Sequence, residues 1–116
     1  MKKRASNGLA LDDVDQLMAA LPGVVASKTG RGSSWKVKSK MLACTPMHKS
    51  AEQDSLVVRI TKAERERLLA ANPDVYYLTS HYIPHPCILV RLKMASRDEL
   101  RNLFGIAAME MAGTKH

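Results

Sequence analysis

The succession of patterns along the chain predicts an α+β domain of two layers, an antiparallel or mixed sheet with helices on one face. Three segments place apolar residues at helical spacing, and short alternating or β-branched runs lie between them. The strand-like runs follow one another directly, which favours antiparallel neighbours over βαβ units. We therefore expect one helix, three or four strands, a second helix, two strands and a third helix. With 116 residues, the chain is long enough for one core.

The first helix is predicted over residues 11–21. Its apolar residues recur every three or four positions, and its first turn is acidic, which complements the helix dipole. Pro22 and Gly23 end it. Val24 and Val25 are β-branched, and residues 24–26 predict the first strand.

Residues 34–45 predict a β-hairpin with a basic face. Trp35 and Val37 alternate with Lys36 and Lys38, and Lys40 falls at or near the turn. Alternation places the two apolar side chains on one face and the two lysines on the other. Such a ribbon can follow a phosphate backbone without reading sequence. The same pattern also fits the solvated face of an ordinary sheet, on which lysines discourage aggregation.

Two helices in the second half of the chain begin at capping boxes. Thr61 and Glu64 form the first box, and Ser96 and Glu99 form the second. Alternating signs at the start of the middle helix predict a solvated face made of Glu64, Arg65, Glu66 and Arg67. Strands are expected at residues 56–60, 75–78 and 87–92, and a polar loop at residues 46–55.

The two ends of the chain are expected to lie outside the domain. Residues 1–10 are predicted as a flexible basic tail, residues 11–112 as a single domain, and residues 113–116 as a C-terminal tail. No apolar run approaches the roughly 20 residues of a membrane helix, and no signal-peptide apolar region follows the basic start. Cys44 and Cys87 are most simply reduced thiols. We therefore expect a cytoplasmic protein with no membrane partner.

Positive charge is concentrated in the first half of the sequence. Residues 1–49 hold nine Lys or Arg and three Asp, whereas residues 50–116 hold nine basic and eight acidic residues. No acidic residue lies between Lys28 and Lys49. A segment of this kind is typical of a surface that faces a polyanion, although excess charge also serves solubility alone.

Four motifs stand in a recognisable order: Leu21-Pro22-Gly23-Val24; Trp35-Lys-Val-Lys-Ser-Lys-Met-Leu-Ala43; Asn72-Pro73-Asp74; and Thr79-Ser80-His81-Tyr82 followed by Pro86 and Ile88-Leu-Val-Arg-Leu92. Together they resemble the MmcQ/YjbR-like family of small bacterial proteins over about residues 17–112. The sequence departs from the family pattern at Ser80, where proline is usual, and at Ser39, where the hairpin turn prefers glycine.

The resemblance implies a two-layer fold related to secretion-chaperone-like and frataxin-like (CyaY-like) topologies. It also implies a DNA-binding role with a wing-like arrangement, and no established enzymatic activity. The family positions are Trp35, His81, Tyr82, Pro86 and Arg91. We expect them to be architectural, with the imidazole and phenol buried and satisfying loop carbonyls. The alternatives are that the histidine acts as an acid or base, or that the tyrosine stacks on a nucleobase.

Other side chains that could bind a metal or act as nucleophiles lack the spacing that such sites need. Cys44, His48, His81, His85 and Cys87 include zinc-ligand types, but no pair of closely spaced ligands stands at both ends. No nucleophile stands in a recognised motif. We therefore expect no metal, no cofactor and no catalytic residue.

The sequence thus predicts a monomer or weak dimer that binds nucleic acid, preferably DNA, through phosphate contacts. The expected contact residues are Lys28, Arg31, Lys36, Lys38, Lys40 and Lys49, with Arg91 in support. The alternative is a chaperone-like module for a protein or peptide partner, because the resemblance implies a chaperone-like topology and methionines lie in and near the last helix. An enzyme built around His81 and Tyr82 is a third, more distant reading.

Overall fold

Six strands form one antiparallel sheet, and three helices pack on one of its faces, in a computed structural model that describes residues 8–113. The helices are α1 (Leu11–Ala19), α2 (Lys62–Ala71) and α3 (Arg97–Gly113). The strands are β1 (Val24–Thr29), β2 (Gly32–Val37), β3 (Lys40–Cys44), β4 (Ser55–Arg59), β5 (Tyr76–Tyr77) and β6 (Cys87–Arg91). A short 3₁₀ turn, Leu92–Met94, leads from β6 into α3. The predicted class and element order are confirmed, with four strands before α2.

The strands lie in the order β1-β2-β3-β4-β6-β5, and every neighbouring pair is antiparallel. The central strands therefore come from both halves of the chain. A β-bulge interrupts the β2–β3 register, because Trp35 pairs with Ala43 while Lys36 pairs with Met41. The extra residue, Leu42, is fully buried with Ala43, so the bulge turns two consecutive side chains into the core.

The main core lies between the sheet and the helices, on what we call the helix face. Buried side chains of α1 and α3 meet Trp35 and the inward residues of β3, β4 and β6 there, and Leu68 and Leu69 of α2 pack against the same cluster. The opposite face, which we call the outer face, carries a smaller cluster. Tyr82, Cys87 and Leu89 form it, covered by side chains of the β3–β4 loop and of the segment after β5.

The two predicted capping boxes have different outcomes. At α3, the Ser96 hydroxyl accepts the Glu99 amide and the Glu99 carboxylate accepts the Ser96 amide, so the box is complete. At α2, Thr61 accepts the Glu64 amide, but its own amide donates to Glu110 of α3. The second half of this box is thus supplied by a tertiary contact, which fixes the start of α2 to the end of α3.

The N-terminal boundary of the domain lies before residue 11. Residues 1–7 of the predicted tail and residues 114–116 of the C-terminal tail lie outside the described residues. Leu9, however, donates its amide to the Leu92 carbonyl at 2.9 Å and packs against the core, so this part of the predicted tail belongs to the fold. Within residues 8–113 no helix has the length and apolar character needed to cross a membrane.

Candidate nucleic-acid interface

Charge is divided between the two layers of the fold. The six strands hold five basic residues and no acidic one. The three helices hold eight acidic and five basic residues. The sheet layer is therefore the positive side of the domain and the helix layer the negative side, a separation that the charge count along the sequence did not reveal.

The tip of the β2–β3 hairpin is a two-residue turn made of Lys38 and Ser39. Both have positive φ, +52° and +70°. A two-residue hairpin turn needs this backbone conformation, which residues other than glycine adopt only at a cost. Lys38 therefore lies in the turn, and the prediction that it continues the outer face of β2 is wrong. Lys36 does face outward, whereas Lys40 pairs with Val37 and shares its side of the sheet.

Lys28 lies on the helix face, where it is already paired. Its ammonium group is 2.8 Å from an Asp15 carboxylate oxygen of α1 and 5.4 Å from the centre of the Trp35 ring. The same carboxylate accepts the indole N–H of Trp35 at 2.9 Å. The bond from Lys28 is the main cause that holds the pKa of Asp15 below its usual value, and partial desolvation opposes it. Lys28 thus anchors β1 to α1.

Arg91 is also occupied by contacts within the domain. Its guanidinium donates two hydrogen bonds to Glu52, at 2.9 and 3.0 Å, and two more to the carbonyls of Pro73 and Asp74. It also lies 4.3 Å over the Tyr77 ring. These contacts tie β6 to the loops at one end of the sheet, so Arg91 is an architectural residue in this arrangement.

Five basic residues remain on the outer face or at its edges, all exposed: Arg31, Lys36, Lys38, Lys49 and Arg59. None of them pairs with a carboxylate in the described part of the chain. Arg59 was not among the predicted contacts. It pairs with Cys87 across β4 and β6, which places it on the outer face, and it is the charged one of the two outward residues in the run Leu56-Val-Val-Arg-Ile60. Its place in this alternation was the signal that could have identified it.

A groove of about 490 Å³ opens on the outer face beside Arg59. Met41, Val57 and Cys87 contribute apolar surface, and His81 and His85 line the groove with the segment that precedes β6. Among residues 8–113, no acidic side chain lines it. The groove therefore joins an apolar floor, imidazole rings and a guanidinium that pairs with no carboxylate in that range.

Three imidazole rings converge at the side of this groove. The His48 and His81 rings are stacked, with centroids 3.7 Å apart and planes 8° from parallel. His85 lies 5.9 Å from His81, and Tyr82 meets His81 edge-on at 4.8 Å. Partial desolvation, and then the electrostatic interactions with His48 and His85, lower the pKa of His81.

The two residues of the predicted His81-Tyr82 pair have different environments in the structure. Tyr82 is buried as expected, in the small outer cluster with Cys87. His81 is exposed, and the expectation that its ring is buried to satisfy loop carbonyls is wrong, because the ring stacks on His48 at the surface. Trp35 is fully buried, and Pro86 is exposed at the edge of the groove.

The carbonyls of the loop are instead satisfied by Arg65 of α2. This side chain is 4% exposed, and its guanidinium donates to the carbonyls of Ile83, His85 and Cys87 at 3.1, 2.7 and 3.2 Å. Its Nε has no partner among the described residues. The predicted solvated face of α2 is therefore wrong at this position, since Arg65 is a buried cation that holds the His85 segment.

Within residues 8–113 no group of three His, Cys, Asp or Glu side chains has the geometry to hold a metal ion. His48 Nδ1 lies 2.7 Å from the Ser50 hydroxyl, but it also accepts the Ser50 amide at 3.1 Å, so the imidazole closes a local turn. Both cysteines are free thiols, and burial raises the pKa of each.

The architecture is shared with a solved structure. Protein DR2400 of Deinococcus radiodurans, whose family-model domain is DUF419, superposes with a TM-score of 0.74 at 18% sequence identity, over 96% of this chain and 84% of that one. This likeness shows the fold. No family model matches the sequence, and no curated protein matches it.

Proposed function

We propose that this chain is a nucleic-acid-binding domain whose outer sheet face contacts phosphates without reading sequence. The observation that carries the proposal is the division of charge between the layers. All strand charges are positive, and five basic residues on or beside the outer face pair with no carboxylate in residues 8–113. The five proposed contacts are Arg31, Lys36, Lys38, Lys49 and Arg59; Lys40 lies on the other side of the hairpin and is not among them. DNA is the proposed target, on the resemblance of the sequence to the MmcQ/YjbR-like family.

The likeness to a DUF419 structure supports our proposal that the chain belongs to that family group. The complete α3 cap at Ser96 and the buried Trp35 both follow from motifs in this sequence. The proposed role is binding rather than catalysis. None of the histidine rings at the groove is held by a carboxylate in residues 8–113, so none forms the Asp–His pair of a catalytic triad.

A salt titration of duplex binding tests the proposal. Five phosphate contacts give a slope of about −4.5 in log K against log salt, at about −0.9 for each phosphate. Lys36→Gln should reduce the slope by about one contact. Lys62→Gln is the matched control, because Lys62 is exposed and stands at the start of α2, in the helix layer. It should leave the slope unchanged.

Two results would overturn this function. The first is that neither duplex nor single strand is retarded by micromolar protein at low salt. The second is that the two glutamine variants have the same effect, because this would mean that only net charge matters. A binding partner recovered with an affinity that does not depend on salt would instead favour the protein-interaction module.

A further inference from the structure

We infer that the groove on the outer face takes an unpaired nucleotide, so the domain prefers single-stranded nucleic acid over duplex. This inference rests on the proposed function and specifies its ligand. The groove has the size of a small-molecule site, about 490 Å³, and its lining contains apolar side chains, two imidazoles and one arginine. A nucleotide has matching parts, since its base is flat and its phosphate is anionic.

The imidazole rings give the groove a stacking surface. His85 is exposed, lines the groove, and makes no hydrogen bond through its ring to any residue in the described range. It lies next to the His48–His81 stack, whose parallel rings show how a flat group packs in this place. Stacking of bases on aromatic side chains, histidine included, is the usual way in which proteins hold unpaired nucleotides.

The basic residues around the groove determine where the phosphate of a bound nucleotide would lie. Arg59 lies at its edge without a carboxylate partner in the described residues, and Lys36 stands two strands away on the same face, about 10 Å at the usual strand spacing. Behind His85, Arg65 adds a buried positive charge that is bonded to three carbonyls and, within the described range, to no carboxylate. The groove is therefore positive from two sides.

A paired base cannot use this site. In a duplex the base is stacked within the helix, and it reaches a groove of this kind only after it has been unstacked, which costs a few kcal/mol. A strand that is already unpaired binds without that cost. The phosphate contacts of the outer face are common to both forms, so the preference for single strands should come from the base alone.

The test compares three labelled ligands of equal phosphate number by fluorescence anisotropy: a short single-stranded oligothymidine, the same strand with abasic sites, and a duplex. The intact single strand should bind about tenfold more tightly than the abasic strand or the duplex, since stacking on one base is worth that much or more. His85→Ala should remove this advantage and leave the salt slope unchanged. His85→Phe should restore it, because phenylalanine supplies a flat ring without an ionisable group.

Arg59→Gln is the companion variant. It should weaken all three ligands and reduce the salt slope by about one contact. A further measurement with an oligoribouridine distinguishes RNA from DNA as the source of the nucleotide. Tighter binding of either intact strand than of the abasic strand supports the inference. Equal affinity for intact and abasic strands would overturn the inference while the proposed function stands. Absence of salt-dependent binding to every ligand would overturn the proposed function itself.

Discussion

Replacement of Arg65 by methionine tests whether a buried cation holds the loop that builds the groove. Methionine keeps much of the aliphatic length of arginine but donates no hydrogen bond. The three carbonyls of Ile83, His85 and Cys87 then lose the guanidinium that they share in the native fold. We expect the loop to open and the free energy of unfolding to fall.

The magnitude follows from two opposing effects. A buried acceptor left without its donor costs about 1–3 kcal/mol; the bond to the Cys87 carbonyl is buried, and the bonds to Ile83 and His85 are partly buried, so their loss costs less. Removing the guanidinium, whose Nε is already without a partner among the described residues, returns part of this, since burying a cation is itself expensive. The expected net loss for Arg65→Met is about 2–4 kcal/mol.

The matched control is Arg67→Met, two residues further along the same helix. Arg67 is exposed and pairs with Glu64 at 2.6 Å, a surface pair of a kind that contributes less than about 1 kcal/mol. Urea denaturation followed by the fluorescence of Trp35, the single tryptophan, measures both variants. Amide exchange measures the loop directly, because the amides of His85 and Cys87 donate to carbonyls within it.

Two results would refute the reasoning. The first is that Arg65→Met unfolds within about 0.5 kcal/mol of the wild type, which is the ordinary range of surface substitutions. The second is that the loop amides keep their protection in the variant. Either result would mean that the loop is held by its own packing and not by the guanidinium.

Three further changes test other contacts. Ser39→Gly should raise the melting temperature, with a gain of about 1 kcal/mol, because glycine adopts a φ of +70° without strain; a lower melting temperature would contradict the turn. Asp15→Ala should cost about 1–3 kcal/mol in urea denaturation, since the buried indole N–H of Trp35 loses its acceptor; Asp15→Asn keeps an oxygen there and should cost less, so equal losses would count against this bond. The pKa of His81 is lower in the folded chain than in the unfolded chain, so between the two values the unfolded chain holds more protons. The stability is therefore fully present above pH 6.5 and falls as the pH drops through the lower folded pKa. His81→Gln should flatten that part of a plot of urea midpoint against pH, and an unchanged plot would exclude the histidine stack as the cause.

The elements of the fold followed from local patterns because each signal was local. The hydroxyl and glutamate of the Ser96–Glu99 box are three residues apart, and alternation alone placed Trp35 in the core. The Thr61 box was half right, because its second bond comes from Glu110, 49 residues away. Contacts of that length depend on how the helices pack, which no window of sequence shows.

The candidate site was harder to predict because it depends on which face of a strand each residue occupies and on partners that are far apart in the sequence. Whether Lys28 faces inward or outward depends on the register of β1, and a tight turn at Lys38 takes a lysine out of the strand. Arg65 stands in a run of alternating charges, and only the fold brings three loop carbonyls to it. His48 and His81 are 33 positions apart, so their stack has no sequence signal.

The separation of charge between the layers changes what the net charge of +7 means for an approaching polyanion. At physiological ionic strength the Debye length is about 8 Å, well below the 27 Å of the shortest dimension of the domain. A strand of nucleic acid near the sheet therefore experiences the local lysines and arginines, while the carboxylates of the helices on the far side are screened. At about 0.01 M salt the Debye length reaches about 30 Å, and the same strand experiences both layers at once. Lowering the salt concentration thus brings the acidic helices within electrostatic range. The affinity for nucleic acid should therefore rise less steeply at low salt than the outer-face cations alone would give.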